Sequence, residues 1–235
     1  MRSLVAATAL TCVLSVSAFA QSPKTLYCPE PNWDWGEVGI DFDLAHTYLL
    51  INGSASKVMI DSVIAPCDCS LARPSDSSLN PGDTARVVLK FSTRDFYGRT
   101  TKQVDIYFRD STKHYLQLTY SATVGQYYGG LKPEPISVFL LPNQPSRKVT
   151  VPIIKNAYFS QAEIVGDIVA HSDIAQIRIT KPKAAIGESL ELEVSPKPGL
   201  EPGTYISNFR FQIRVDIKGQ PQTLLITIPT KIVRY

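Results

Sequence analysis

The densest chemistry in this 235-residue chain is the run Pro66-Cys67-Asp68-Cys69. Two thiols one residue apart can close a small disulfide, exchange with other dithiols, or offer soft donors to Cu(I) or Zn. In an extended strand both side chains would share one face, with Cα atoms about 6.6 Å apart. That spacing sits at the upper edge of disulfide geometry, so a direct bridge needs a local turn, which Pro66 and Asp68 can provide. A third cysteine, Cys28, lies well upstream. Four arrangements compete: a local bridge, structural or redox-labile; a bridge from either residue to Cys28; a soft-metal site; or reduced, buried thiols. Two thiolates make an incomplete zinc site, and no histidine is near in sequence. The expected arrangement is therefore a Cys67–Cys69 disulfide, an unpaired Cys28 thiol and no metal.

The remaining candidates are weaker. His46, His114 and His171 are scattered and read as ordinary core or surface residues. His171-Ser172-Asp173 has the residue types of a hydrolytic triad, but three adjacent residues cannot supply its through-space relay. Asp41-Phe42-Asp43 lacks the loop spacing of a calcium site. Arg210 and Arg214 fall on the outer face of a strand, where polar residues belong. Trp33 and Trp35 read as packing residues, although an aromatic at a strand edge can mark an interface. No residue is assigned a catalytic role, no cofactor is expected, and the chain reads as non-enzymatic.

The chain opens with Met1-Arg2-Ser3, an apolar run from Leu4 to Val16, and Ser17-Ala18-Phe19-Ala20. This is the charge, apolar stretch and A-x-A site of a cleavable signal peptide over residues 1–20. The apolar segment is too short to span a bilayer, and no other stretch is a transmembrane candidate. Cleavage removes Cys12, leaving an odd number of cysteines, as well as Arg2, which lowers the formal charge of +3 by one. No clustered basic face is present for phosphates, so nucleic acid is not an expected partner. The expected location is periplasmic or extracellular.

What must position the cysteines is a set of short strands. Period-two alternation between turn residues runs through Trp33–Val38, Leu44–Ile51, and Val58 with Ile60. It continues through Ala85 to Phe91, Val104 to Phe108, and Leu116 to Ala122. Inward parity shifts from even positions to Val63, Ala65, Cys67 and Cys69. Because a one-residue slip flips every side chain, the shift predicts a bulge or break near Asp61-Ser62. Strands this short and evenly spaced predict an immunoglobulin-like sandwich.

Trp35-Gly36-Glu37-Val38, the strand ending Leu50-Ile51-Asn52-Gly53, Val63 to Cys69, and Asn80-Pro81-Gly82-Asp83 together carry a resemblance. The first half of the mature chain resembles domain-of-unknown-function family 1573, exported bacterial domains of the PapD and major sperm protein type. Trp35 stands where the family usually has Phe, and Asp68 where it has Gly. The resemblance implies a PapD-like sandwich and no activity.

Gln126 to Pro135 reads as a linker by composition. Beyond it, alternation resumes at Val149 to Ile153, Leu190 to Val194, Tyr205 to Val215 and Leu224 to Ile228, which predicts a second sandwich. The reading is all-β: two tandem immunoglobulin-like, PapD-like sandwiches after a signal peptide. Its boundaries are 1–20, a first domain at 21–125, a linker at 126–135 and a second domain at 136–235. If strands alternate in direction, Cys67 and Cys69 face the linker while Cys28 sits at the opposite pole. The expected function is protein binding or scaffolding among other exported or envelope proteins, with an open sheet edge accepting a partner strand. The alternative is a periplasmic thiol–disulfide or copper-handling protein acting through Cys67 and Cys69.

Overall fold

The computed structural model describes residues 25–235 except 156 and 172. The expected signal peptide with Cys12, and Ser172 of the His171-Ser172-Asp173 run, lie outside the described residues. The fold is all-β.

In the first half the strands are β1 (Leu26–Tyr27), β2 (Asn32–Val38), β3 (Asp43–Asn52), β4 (Val58–Ile64), β5 (Ser70–Pro74), β6 (Ser78–Leu79), β7 (Thr84–Ser92), β8 (Gly98–Arg109) and β9 (Lys113–Val124). One sheet has the order β1-β3-β7-β5, and the strands β2-β9-β8-β4-β6 lie in another. Inward residues of both meet in one core: Tyr48, Leu50, Leu89 and Phe91 from the first, Trp35, Ile106, Leu118 and Tyr120 from the second. The Trp35 ring centroid lies 5.7 Å from that of Phe91 and 5.8 Å from that of Tyr120. Alternation explains this packing: β7 buries every second residue from Ala85 to Phe91, all with no exposed surface.

The predicted parity break is present, as a register shift between Ile60 and Ser62 where β4 pairs β8. The run that the sequence extends to Cys69 nevertheless ends at Ile64. Pro66 lacks a backbone donor, the chain turns through the cysteines, and β5 continues in the opposite sheet. Asn52 explains the Asn-containing turn. Fully buried, it donates from Nδ2 to the carbonyls of Ser56 (2.8 Å) and Leu79 (3.0 Å), and its Oδ1 accepts from the Ser54 amide.

The second half contains β10 (Val138–Leu140), β11 (Arg147–Pro152), β12 (Gln161–Ala170), β13 (Ala175–Lys181), β14 (Lys183–Ala185), β15 (Ser189–Pro196), β16 (Gly203–Ile217) and β17 (Gln220–Arg234). A three-stranded sheet β11-β15-β13 faces β14-β12-β16-β17, with β10 beside β17, over a separate core of Val149, Leu192, Phe211 and Ile228 among others. Lys218 and Gly219, both at positive φ, close the β16–β17 hairpin as a two-residue turn of the type that matches strand twist. The segment read as a linker contributes fully buried Leu131 to this second core.

The two halves are not merely strung together. β17 pairs in parallel with β2 at Ile226 and Glu37, so one sheet runs from β14 through to β6 across both cores.

Candidate functional site: the cysteine turn, the junction and the sheet edges

The structure joins Cys67 to Cys69, with Cα atoms 5.2 Å apart, inside the range a disulfide needs. A turn closes that distance: the Ser70 amide donates to the Cys67 carbonyl at 3.1 Å. Asp68 achieves this without positive φ, since the non-glycine residues that adopt it among those described are Asp41, Asp95 and Lys218. The Ser92 amide donates to the Cys69 carbonyl at 2.9 Å, fastening the turn to β7. Ser70 Oγ lies 3.7 Å from the Cys67 sulfur and 3.5 Å from that of Cys69, and it shares a hydrogen bond with the Tyr120 hydroxyl.

Cys28 is not brought to this pair. It is buried before β2, beside His46, Tyr48 and Leu49 around a cavity of about 160 Å³. Burial pushes its thiol up, against the backbone donors of Glu30 and Leu49, which disfavours the thiolate that exchange chemistry requires. Among the described residues no group of three or more His, Cys, Asp and Glu side chains stands close enough to hold a metal ion.

Two of the histidines come near each other and the third lies apart. His46 stacks on Trp33 with ring centroids 3.7 Å apart and a 13° interplanar angle. Burial first, then His171 and Arg210 nearby, hold its imidazole down to about 3, so it is neutral at ordinary pH. His114 bonds Asp110 in a separate turn.

Sequence reasoning missed the junction residues. Arg210 places its guanidinium carbon 3.7 Å from the Trp33 ring centroid and donates to the Asp34 carbonyl. Thr227 Oγ1 donates to the Trp35 carbonyl, and the Ala45 amide donates to Asn208 Oδ1 at 2.8 Å. Gly36, at φ +70°, permits the close approach; a Cβ there would lie 2.2 Å from the Leu225 carbonyl oxygen. Glu37 accepts from the Tyr128 amide through Oε1 at 3.0 Å, while its Oε2 and the Tyr127 hydroxyl are buried without a hydrogen-bond partner among the described residues. Burial pushes the Glu37 carboxyl up to about 7.

The sheets also have open margins. Among the described residues, β13 pairs β15 on one side and no strand on the other. β8 pairs β9 over its whole length, but β4 covers it only from Asp105 to Arg109. By contrast, the β3 margin is capped at Ala45 by Asn208, and β11 is covered at Thr150 by Glu134.

Comparison with solved structures returns low-identity likenesses. The ASH/PapD-like domain 7 of human CEP192 is 11% identical, with a TM-score of 0.37 over 51% of this chain and 99% of that one. The periplasmic chaperone SfaE is 7% identical, with a TM-score of 0.36 over 89% of this chain and 100% of its own. VesB protease of Vibrio cholerae is 9% identical at a TM-score of 0.35 over 42% of this chain, which spans 32% of that protein's length. A search of curated protein sequences gave no match. Residues 28–124 match DUF1573, Protein of unknown function. The matched segment carries Trp35-Gly36, the Asn52 turn and the cysteine pair.

Proposed function

We propose that the protein is an exported, non-enzymatic module that binds or scaffolds other exported or envelope proteins by accepting a strand from them. The observation that supports this reading is the pair of long open margins on β8 and β13. A strand margin carries rows of backbone donors and acceptors, which match an extended polypeptide better than any other ligand. Export rests on the residues of Met1 to Ala20.

The test is photo-crosslinking in the native cell envelope. A crosslinking residue is placed at Thr101 on β8, at Arg178 on β13, or at Lys218 on the β16–β17 hairpin tip. The expected result is a crosslink from a margin position to one defined segment of an envelope protein, identified at peptide level, with none from Lys218. Crosslinks spread equally over all three positions, or none from either margin, would sink the reading.

A further inference from the structure

Half of one strand track in the first sandwich is vacant, and the reason lies in the cysteine turn. β4 runs antiparallel to β8 and stops with Ile64 opposite Asp105. Pro66 and the Cys67–Cys69 turn then carry the chain into β5 of the opposite sheet. Among the described residues, Gly98–Val104 of β8 have no strand neighbour on that side, although Gly98 to Arg109 are all paired with β9 on the other.

The direction of the free backbone groups follows from the ladder. In β9 the Thr119 amide donates to the Pro31 carbonyl at 2.8 Å, and the Gly125 amide just beyond it donates to the Val38 carbonyl at 2.8 Å. Odd-numbered residues of β9 therefore turn their backbone groups towards β2, and even-numbered ones towards β8. The even residues Leu118, Tyr120, Ala122 and Val124 lie opposite Val104, Lys102, Thr100 and Gly98. Arg99, Thr101 and Gln103 must then direct both N–H and C=O at the vacant track. No hydrogen bond reaches them from that side among the described residues.

The vacancy has walls. Ile64, Pro66, Thr101, Lys102, Gln103 and Asp105 line a groove there. Ile64 is 52% exposed at the end of β4. On the core side, Lys102 Nζ lies 5.0 Å above the Phe96 ring, which is only partly buried against the first core. On the solvent side Thr101 and Gln103 are exposed.

The geometry points to this half-track as the strand-acceptor site of the protein, occupied by an extended segment of a partner polypeptide lying collinear with β4. Three ladder residues set the occupant's length at about five residues, on the usual rise of ~3.4 Å per residue. The two walls set its pattern: apolar side chains towards Phe96 and the cysteine turn, alternating with polar ones beside Thr101 and Gln103. The assignment rests on the strand-acceptance reading above and gives it a place. The β13 margin differs, because no strand continues its missing track and so nothing fixes an occupant's register.

The test is backbone hydrogen exchange on the full mature chain, with and without an end-blocked heptapeptide alternating valine and threonine. The expected result is slowing by roughly tenfold or more at the amides of Thr101 and Gln103. Two variants separate the edges. Thr101→Pro removes a donor aimed at the vacant track and is tolerated there; it should abolish the protection while leaving the melting temperature close to that of the parent. Lys102→Pro removes a donor to β9 and should lower the melting temperature. Gln103→Pro repeats the first test at a second position. Protection at Ala175–Lys181 alone would overturn the β8 assignment and leave strand acceptance standing. Protection nowhere would overturn both.

Discussion

Arg210 of β16 covers the ring of Trp33 of β2, its guanidinium carbon 3.7 Å from the ring centroid, and donates to the carbonyl of the next residue, Asp34. Residues 176 or more positions apart thus lock the first core to the second. The contact does more than close a gap. A planar cation on an indole, desolvated on one side, contributes about 1–2 kcal/mol, and the stack continues through Trp33 to His46.

Arg210→Ala should therefore destabilise the protein by about 1–2 kcal/mol. Arg210→Lys should rescue little of this, because an ammonium cannot both stack flat and keep the same donor geometry. Denaturant titration followed by tryptophan emission reads both effects. Full rescue by lysine would show that only charge matters.

Gly36→Ala should be costlier. The left-handed conformation penalises a Cβ by about 1–2 kcal/mol, and the new atom would overlap the Leu225 carbonyl. A total loss of ~3 kcal/mol is expected, with β2 forced away from β17. Thermal melting and proteolysis near residues 36–38 measure it. A change below ~0.5 kcal/mol would contradict the close approach of these strands.

Glu37 makes stability depend on pH in a definite direction. Its carboxyl is raised by burial from 4.5 to about 7 in the folded chain. The folded state therefore holds the proton more tightly than the unfolded one between those values. Stability from this group is fully present below the unfolded pKa and is lost as pH rises through about 7. Glu37→Gln, neutral throughout, should be more stable than the parent at pH 8 and should flatten the slope between pH 5 and 8. A parallel pH profile for parent and variant would rule out a raised carboxyl.

Removing the disulfide by Cys67→Ser with Cys69→Ser should cost only about 1–2 kcal/mol, because the loop it closes is very short. Peptide mapping of the purified parent, alkylated before reduction, should find Cys67 bonded to Cys69 and Cys28 as the free thiol. A bridge to Cys28 would contradict the structure.

Asn52→Ala should cost about 2–3 kcal/mol, since it strips the donors from two carbonyls and leaves a fully buried cavity. Asn52→Asp should be no better, because a carboxylate cannot donate to Ser56 and Leu79. Melting temperatures of the two variants decide this.

Local chemistry in the sequence determined the strands whose patterns are clean. Alternation over Thr84–Ser92 and Gly203–Ile217 specifies which face is buried, because strand side chains alternate strictly. The parity change after Ile60 encodes the irregularity that appears as a register shift between Ile60 and Ser62. Pro66 cannot donate to a ladder, yet the alternation at Val63, Ala65, Cys67 and Cys69 extends the expected run, and the fold ends it at Ile64. β12 was not legible: its alternation through Ala162 and Ile164 gives way to mixed exposure where its register against β16 shifts after Val165. β13 does alternate, with Ala175, Ile177 and Ile179 towards the core and Gln176, Arg178 and Thr180 exposed, but its inward residues are only half-buried. Tertiary structure alone decided the junction. Arg210, Asn208 and Thr227 look like ordinary polar strand residues until folding sets them against Trp33, Ala45 and Trp35. It also decided where the sheet stays open. A vacant track is a property of which strands fail to meet, and no local pattern encodes that. Only the fold shows that β4 stops at Ile64 and that Arg99, Thr101 and Gln103 are left facing the gap.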